Sequence, residues 1–100
     1  MIRRLCIIGV GLIGGSLARA LRQAGHCGEI VGSGRRTEHL QEAVDLGVID
    51  RFDLDAARAV QGADMVVLCV PLGAMESVFR RIAPALAADA VVTDAGSAKA

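Results

Sequence analysis

One hundred residues with eleven basic and eleven acidic side chains make a single domain of zero formal net charge. That balance excludes general nucleic-acid binding, which needs a basic excess, and the lack of Trp and Tyr removes a stacking platform for bases. At 53% hydrophobic the chain can fill a core, an aliphatic one, because Phe52 and Phe79 are its only aromatic residues.

Met1 to Arg4 and the apolar run behind them superficially resemble a secretory signal with a cleavage site near Leu17-Ala18-Arg19-Ala20. Glycines at a nucleotide-binding spacing interrupt that run, which argues for a strand instead. Arg3 to Val10 reads as this first strand, apolar on both faces as a central parallel strand is. Leu12 to Ala24 follows as a helix with Ile13, Leu17 and Leu21 on one side, and Gly25 stops it. Glu29 to Ser33 is a second strand. Thr37 is expected to cap a second helix, Glu38 to Leu46, which Gly47 ends. Val48 to Phe52 is a short third strand or an extended turn. Asp53 is expected to cap a short helix, Leu54 to Val60, closed by Gly62. Met65 to Val70 is a buried strand ended by Pro71. A helix over about 74–88 carries Val78, Phe79, Ile82 and Leu86 on one face, with Pro84 kinking or restarting it. Ala90 to Thr93 is the last strand.

Strands alternating with helices predict an α/β fold with a parallel sheet and right-handed crossovers. The expected form is a Rossmann-type doubly wound sheet in the order 3-2-1-4-5, with ligands at the carboxyl ends of the strands. The chain stops directly after its fifth strand, before the sixth of a full dinucleotide fold.

Gly9-Val10-Gly11-Leu12-Ile13-Gly14 lies between the first strand and the first helix, the setting of a dinucleotide fingerprint. Gly9 allows the tight turn, Gly11 lets a pyrophosphate approach bare backbone, and Gly14 lets helix and strand pack closely. The first-turn N–H groups and the helix dipole then face the phosphates, so Gly9, Gly11, Leu12, Ile13 and Gly14 are the candidate contacts here.

The end of the second strand selects the cofactor. A carboxylate about 20 residues after the fingerprint would bind the ribose of NAD. Gly34 stands at that distance from Gly14, among Ser33, Arg35, Arg36 and Thr37. Hydroxyls and two guanidinium forks suit the 2′-phosphate of NADP, which a carboxylate would repel. NADP is therefore the expected cofactor and NAD the second choice; the alternative is that the arginines are a solvated turn.

Val70, Pro71, Leu72 and Asp94 stand at the carboxyl ends of the fourth and fifth strands, beside the expected nicotinamide end. Pro71 also reads as a strand terminator, Asp94 as a turn cap, and Ser97 as a turn residue. His26 and His39 are expected on the surface. No His/Asp/Glu cluster has metal spacing, and no nucleophile–base pair is present. Cys6, Cys27 and Cys69 are too widely spaced for a zinc pattern and read as small hydrophobes of a reducing compartment, the cytoplasm. No apolar run approaches the roughly 18 residues that span a bilayer.

Three blocks carry a family resemblance: Gly9-Val10-Gly11-Leu12-Ile13-Gly14-Gly15-Ser16-Leu17-Ala18, Ala63-Asp64-Met65-Val66-Val67-Leu68-Cys69-Val70-Pro71, and Val92-Thr93-Asp94-Ala95-Gly96-Ser97-Ala98-Lys99. Together they resemble the prephenate/arogenate (cyclohexadienyl) dehydrogenases of tyrosine biosynthesis. The resemblance implies an oxidative decarboxylation, in which a nicotinamide accepts hydride from a cyclohexadienol ring and loss of carboxylate drives aromatisation. It implies 4-hydroxyphenylpyruvate from prephenate or tyrosine from arogenate, and puts Ser97 in the active site near the substrate hydroxyl and the catalytic histidine.

Two departures from the family stand out. Many members carry an acid where Gly34 stands, which favours NADP here. The family's catalytic histidine, in a Gly-x-His-Pro-type motif, and its helical dimerisation domain lie downstream of Lys99. The resemblance thus implies that these residues are the incomplete cofactor-binding part of a homodimeric enzyme and do not turn over alone. The alternatives are another NAD(P)-dependent reductase, of the β-hydroxyacid or pyrroline-carboxylate type, or a non-catalytic NADP-sensing module. The reductases usually have methionine before the third glycine, where this chain has Ile13.

Overall fold

β1 (Ile2–Ile8) is the middle strand of a five-stranded sheet in the order β3-β2-β1-β4-β5, formed with β2 (Cys27–Ser33), β3 (Arg51–Phe52), β4 (Met65–Leu68) and β5 (Val91–Asp94). Every pairing is parallel. The computed structural model describes residues 2–9, 12–25 and 27–94, with the backbone alone at 12–15, 27, 72 and 94. Val10, Gly11, His26 and the stretch from Ala95 to Ala100, with Ser97 and Lys99, lie outside the described residues.

Because strand side chains alternate, β1 feeds two cores at once. Leu5 and Ile7 join Ile30 and Val67 under Ala18 of α1 (Leu12–Ala24) and Ala43 of α2 (Thr37–Asp45). Cys6 and Ile8 join Val31, Val66 and Leu68 under Ala59 of α3 (Ala56–Ala59) and Ile82 of α4 (Leu72–Ile82). Helices cover both faces, as the alternating pattern predicted. Burial pushes the Cys6 thiol up to about 12, against a small opposing pull from Arg51, so it remains a neutral packing group.

Several local expectations need correction. The N-cap of α2 is Arg36, without a side-chain cap bond, and Thr37 is already helical. The cap of α3 is Asp55, which accepts from the Ala57 N–H at 3.0 Å. Asp53 instead accepts from the Asp55 N–H at 2.9 Å and pairs with Arg58, so it shapes the turn before the helix. The short apolar stretch around Phe52 is a two-residue strand, long enough for the pairs Val31–Arg51 and Gly32–Phe52. α4 starts at Leu72, earlier than expected, and ends at Ile82; Pro84 sits in a 3₁₀ turn, Ala83–Ala85. Phe79 does not belong to the buried face, being 45% exposed, whereas Val78, Ile82 and Leu86 pack on the core.

The amino end of the sheet is closed by charge. Arg4 and Glu29 are register partners on β1 and β2, with Arg4 Nε 2.6 Å from Glu29 Oε1. Arg51 of β3 reaches the other carboxylate oxygen at 3.0 Å, so one acid ties three strands. The Arg51 hydrogen bond, opposed by partial desolvation and helped by Arg4, holds the Glu29 carboxyl below its ordinary 4.5. A depressed carboxylate contributes stability that is present above its unfolded value and lost as pH falls through its folded one. Denaturant midpoints measured as pH falls from about 5 towards about 3 are expected to drop, and less steeply in Glu29→Gln. Equal acid slopes in the two proteins would remove Glu29 from the acid response.

Candidate functional site

The carboxyl ends of β1, β2 and β4 arrive side by side, since Ile8 is in register with both Ser33 and Leu68. Two hydrogen bonds continue the alignment past the strands. The Gly9 N–H donates to the Ser33 carbonyl at 2.6 Å, and the Cys69 N–H donates to the Ile8 carbonyl at 2.8 Å. Gly9 makes this possible: it has φ +87°, and a Cβ there would lie 2.6 Å from the Cys69 carbonyl oxygen. α1, which opens at Leu12, carries no acid in its first turn, so its positive end faces this junction without a competing anion.

Beyond the turn lies an open cleft of about 370 Å³. Ser33, Gly34 and Arg35 form one wall and Cys69, Val70 and Pro71 another. Ser33 is the one buried polar residue of the described chain, 1% exposed. Of the sequence-predicted residues, Gly9, Ser33, Arg35, Val70 and Pro71 are brought together here. Arg36 and Thr37 are exposed at the start of α2 and do not line the cleft. Gly11 and Ser97 lie outside the described residues, and of Leu12, Ile13, Gly14, Leu72 and Asp94 only the backbone is described.

A further wall escaped the sequence reading. Leu54 enters from the β3–α3 connection and Ala56 from the start of α3, and Ala74, Ser77, Val78 and Arg81 form a stripe along α4. Their spacing of three and four residues was legible, but it competed with the apolar pattern of the same helix, which pointed towards the core.

The cleft is electropositive. Among the described residues Arg35 and Arg81 line it, no Asp or Glu does, and neither arginine has an ion-pair partner. A glycine turn where a Cβ would strike backbone, beside two unpaired guanidinium groups, fits a phosphorylated ligand such as a dinucleotide. Among the described residues no group of His, Cys, Asp and Glu could hold a metal, and no helix is long and apolar enough to cross a membrane.

The family model of the prephenate dehydrogenase nucleotide-binding domain matches residues 17–100. The chain belongs to this family. The cyclohexadienyl dehydrogenase of Zymomonas mobilis is 40% identical over 101 residues, which is 97% of this chain and 33% of that enzyme. The prephenate dehydrogenase of A. aeolicus, solved with hydroxyphenyl propionate and NAD⁺, superposes with a TM-score of 0.86 at 33% identity, covering 94% of this chain and 33% of that one. Synechocystis arogenate dehydrogenase superposes with a TM-score of 0.83 at 32% identity, covering 91% and 32%. The chain thus spans about a third of the length of these relatives.

Gly9 combines a positive φ with a clash against backbone, so it resists substitution. Gly9→Ala is expected to cost about 1–3 kcal/mol from the positive φ alone, with the clash against Cys69 backbone in addition. Urea unfolding and a dinucleotide titration are both expected to register the loss. An unchanged midpoint with unchanged affinity would show that the turn accommodates a side chain.

Proposed function

We propose that these residues are the cofactor-binding portion of an NADP-preferring prephenate or arogenate dehydrogenase. The observation that carries the reading is the lip of the cleft at the end of β2, where Arg35 stands beside Gly34 and no carboxylate of the described residues lines the wall. A carboxylate there would bind the ribose 2′-hydroxyl of NAD and repel a 2′-phosphate; a guanidinium does the reverse. Arg36 and Thr37, exposed at the start of α2 next to Arg35 though not lining the cleft, add a second fork and a hydroxyl within reach of a ligand at its lip. When bound, a nicotinamide cofactor supplies the hydride acceptor. The chain's own residues position it: the Gly9 turn and the start of α1 take the pyrophosphate, and Val70, Pro71, Leu72 and Asp94 border the nicotinamide end.

In this reading the substrate is prephenate or arogenate, as the names of the relatives suggest, and Ser97 contacts its hydroxyl. The catalytic histidine and the dimerising helices come from outside these residues, in a homodimeric cytoplasmic enzyme. Cys6, a buried free thiol, accords with a reducing compartment.

Titration with NADP⁺ and NAD⁺ tests the cofactor assignment. NADP⁺ is expected to bind more tightly, and Arg35→Ala/Arg36→Ala to lose about 1–3 kcal/mol for NADP⁺ with little change for NAD⁺. Tighter NAD⁺ binding, unaltered by the double substitution, would return the arginines to a solvated turn. Incubated with prephenate and NADP⁺, the 100-residue chain is expected to form no reduced cofactor. Steady formation of NADPH would overturn the assignment of catalysis to residues beyond it.

A further inference from the structure

Two arginines line the cleft, and only Arg35 has a place in the reading above. Arg81 is the last member of the α4 stripe Ala74, Ser77, Val78 and Arg81, residues at i, i+3, i+4 and i+7 that share one helical face. The first three have short side chains, so Arg81 is the one long side chain that the stripe brings to the cleft. Leu54 enters the same cleft from the β3–α3 connection and is 53% exposed, a large aliphatic surface left in water. Short side chains on one wall, Leu54 on another, and a planar cation without an ion-pair partner among the described residues suit a flat, electron-rich heteroaromatic ring.

We propose that Arg81 is a further cofactor-binding residue, whose guanidinium covers the adenine ring of the dinucleotide in the part of the cleft lined by Leu54 and the α4 stripe. The proposal rests on the reading of the cleft as a dinucleotide site, and does not depend on which cofactor is preferred. Position in the helix does not account for Arg81 by itself. Arg80 also stands in the last turn of α4, where either cation favours the helix dipole, but it pairs with Glu76 at 2.9 Å outside the cleft. The two arginines of the cleft divide the adenosine moiety: Arg35 lies on the β2 wall with the ribose, and Arg81 lies on the α4 wall with the base.

The test is a set of calorimetric titrations with NAD⁺, NADP⁺, 5′-AMP and nicotinamide mononucleotide, on the wild-type chain and on Arg81→Ala, Arg81→Lys and Arg80→Ala. Arg81→Ala is expected to weaken NAD⁺, NADP⁺ and AMP alike, by about fivefold or more, and to leave nicotinamide mononucleotide unchanged. Arg81→Lys keeps the charge without the planar face and is expected to restore less than half of the loss. Arg80→Ala is expected to bind as wild type, and thermal unfolding shows whether Arg81→Ala is folded. A loss confined to NADP⁺ overturns the proposal in favour of a phosphate contact. Full rescue by lysine, no loss at all, or a wild-type chain that does not bind AMP also overturns it. Tighter NAD⁺ than NADP⁺ binding by the wild type, with Arg81→Ala weakening both, upholds the proposal while removing the NADP preference.

Discussion

The turn at Gly9 is the constraint on which the rest of the site depends. Three parallel strands end at one level, and the chain must leave β1 there while its N–H reaches the Ser33 carbonyl and the Cys69 carbonyl crowds its α-carbon. Only a residue without a Cβ meets both conditions. From this turn α1 can start beside the strand ends, and the walls built by β2 and β4 stand at a fixed separation. The cleft is the space those walls leave.

Charge is segregated along the same axis. The chain is neutral in total, but four of its acids are spent on the body of the fold: Glu29 joins three strands, Asp50 holds Arg22 and the Ile30 N–H, and Asp53 and Glu76 pair locally. None of these four lines the cleft, and among the described residues Arg35 and Arg81 face it without an ion-pair partner. Isolated exposed pairs contribute little to stability, about 0–1 kcal/mol each. Their larger consequence here is to keep these four carboxylates away from Arg35 and Arg81, where each one would raise the cost of bringing in a phosphate.

The two-sided core explains how so short a chain keeps this arrangement. Leu5 and Ile7 face one pair of helices and Cys6 and Ile8 the other, so each of these four residues of β1 is clamped from its own side. Such a strand cannot slip by one residue without exchanging the two cores. The register that aligns Ile8 with Ser33 and Leu68 is therefore held by packing well away from the cleft, and the Gly9 turn inherits it.

The sequence by itself determined the order of the elements, the doubly wound sheet and the glycine turn. Those features follow from short-range pattern: apolar runs of strand length, helical periodicity, and glycines where a Cβ does not fit. The missing carboxylate at Gly34 and the neighbouring arginines were legible for the same reason. Local detail was misread where nearby groups compete, as when Asp55 rather than Asp53 capped α3. The α4 wall was decided only by the tertiary structure. Periodicity says that Ala74, Ser77, Val78 and Arg81 share a face, and that Val78, Ile82 and Leu86 lie close together on the same helix. It does not say how far the helix is rotated against a sheet whose strands come from distant parts of the chain. Burial of Ile82 against β1 and β4 sets that rotation, exposes Phe79, and turns Arg81 towards the cleft.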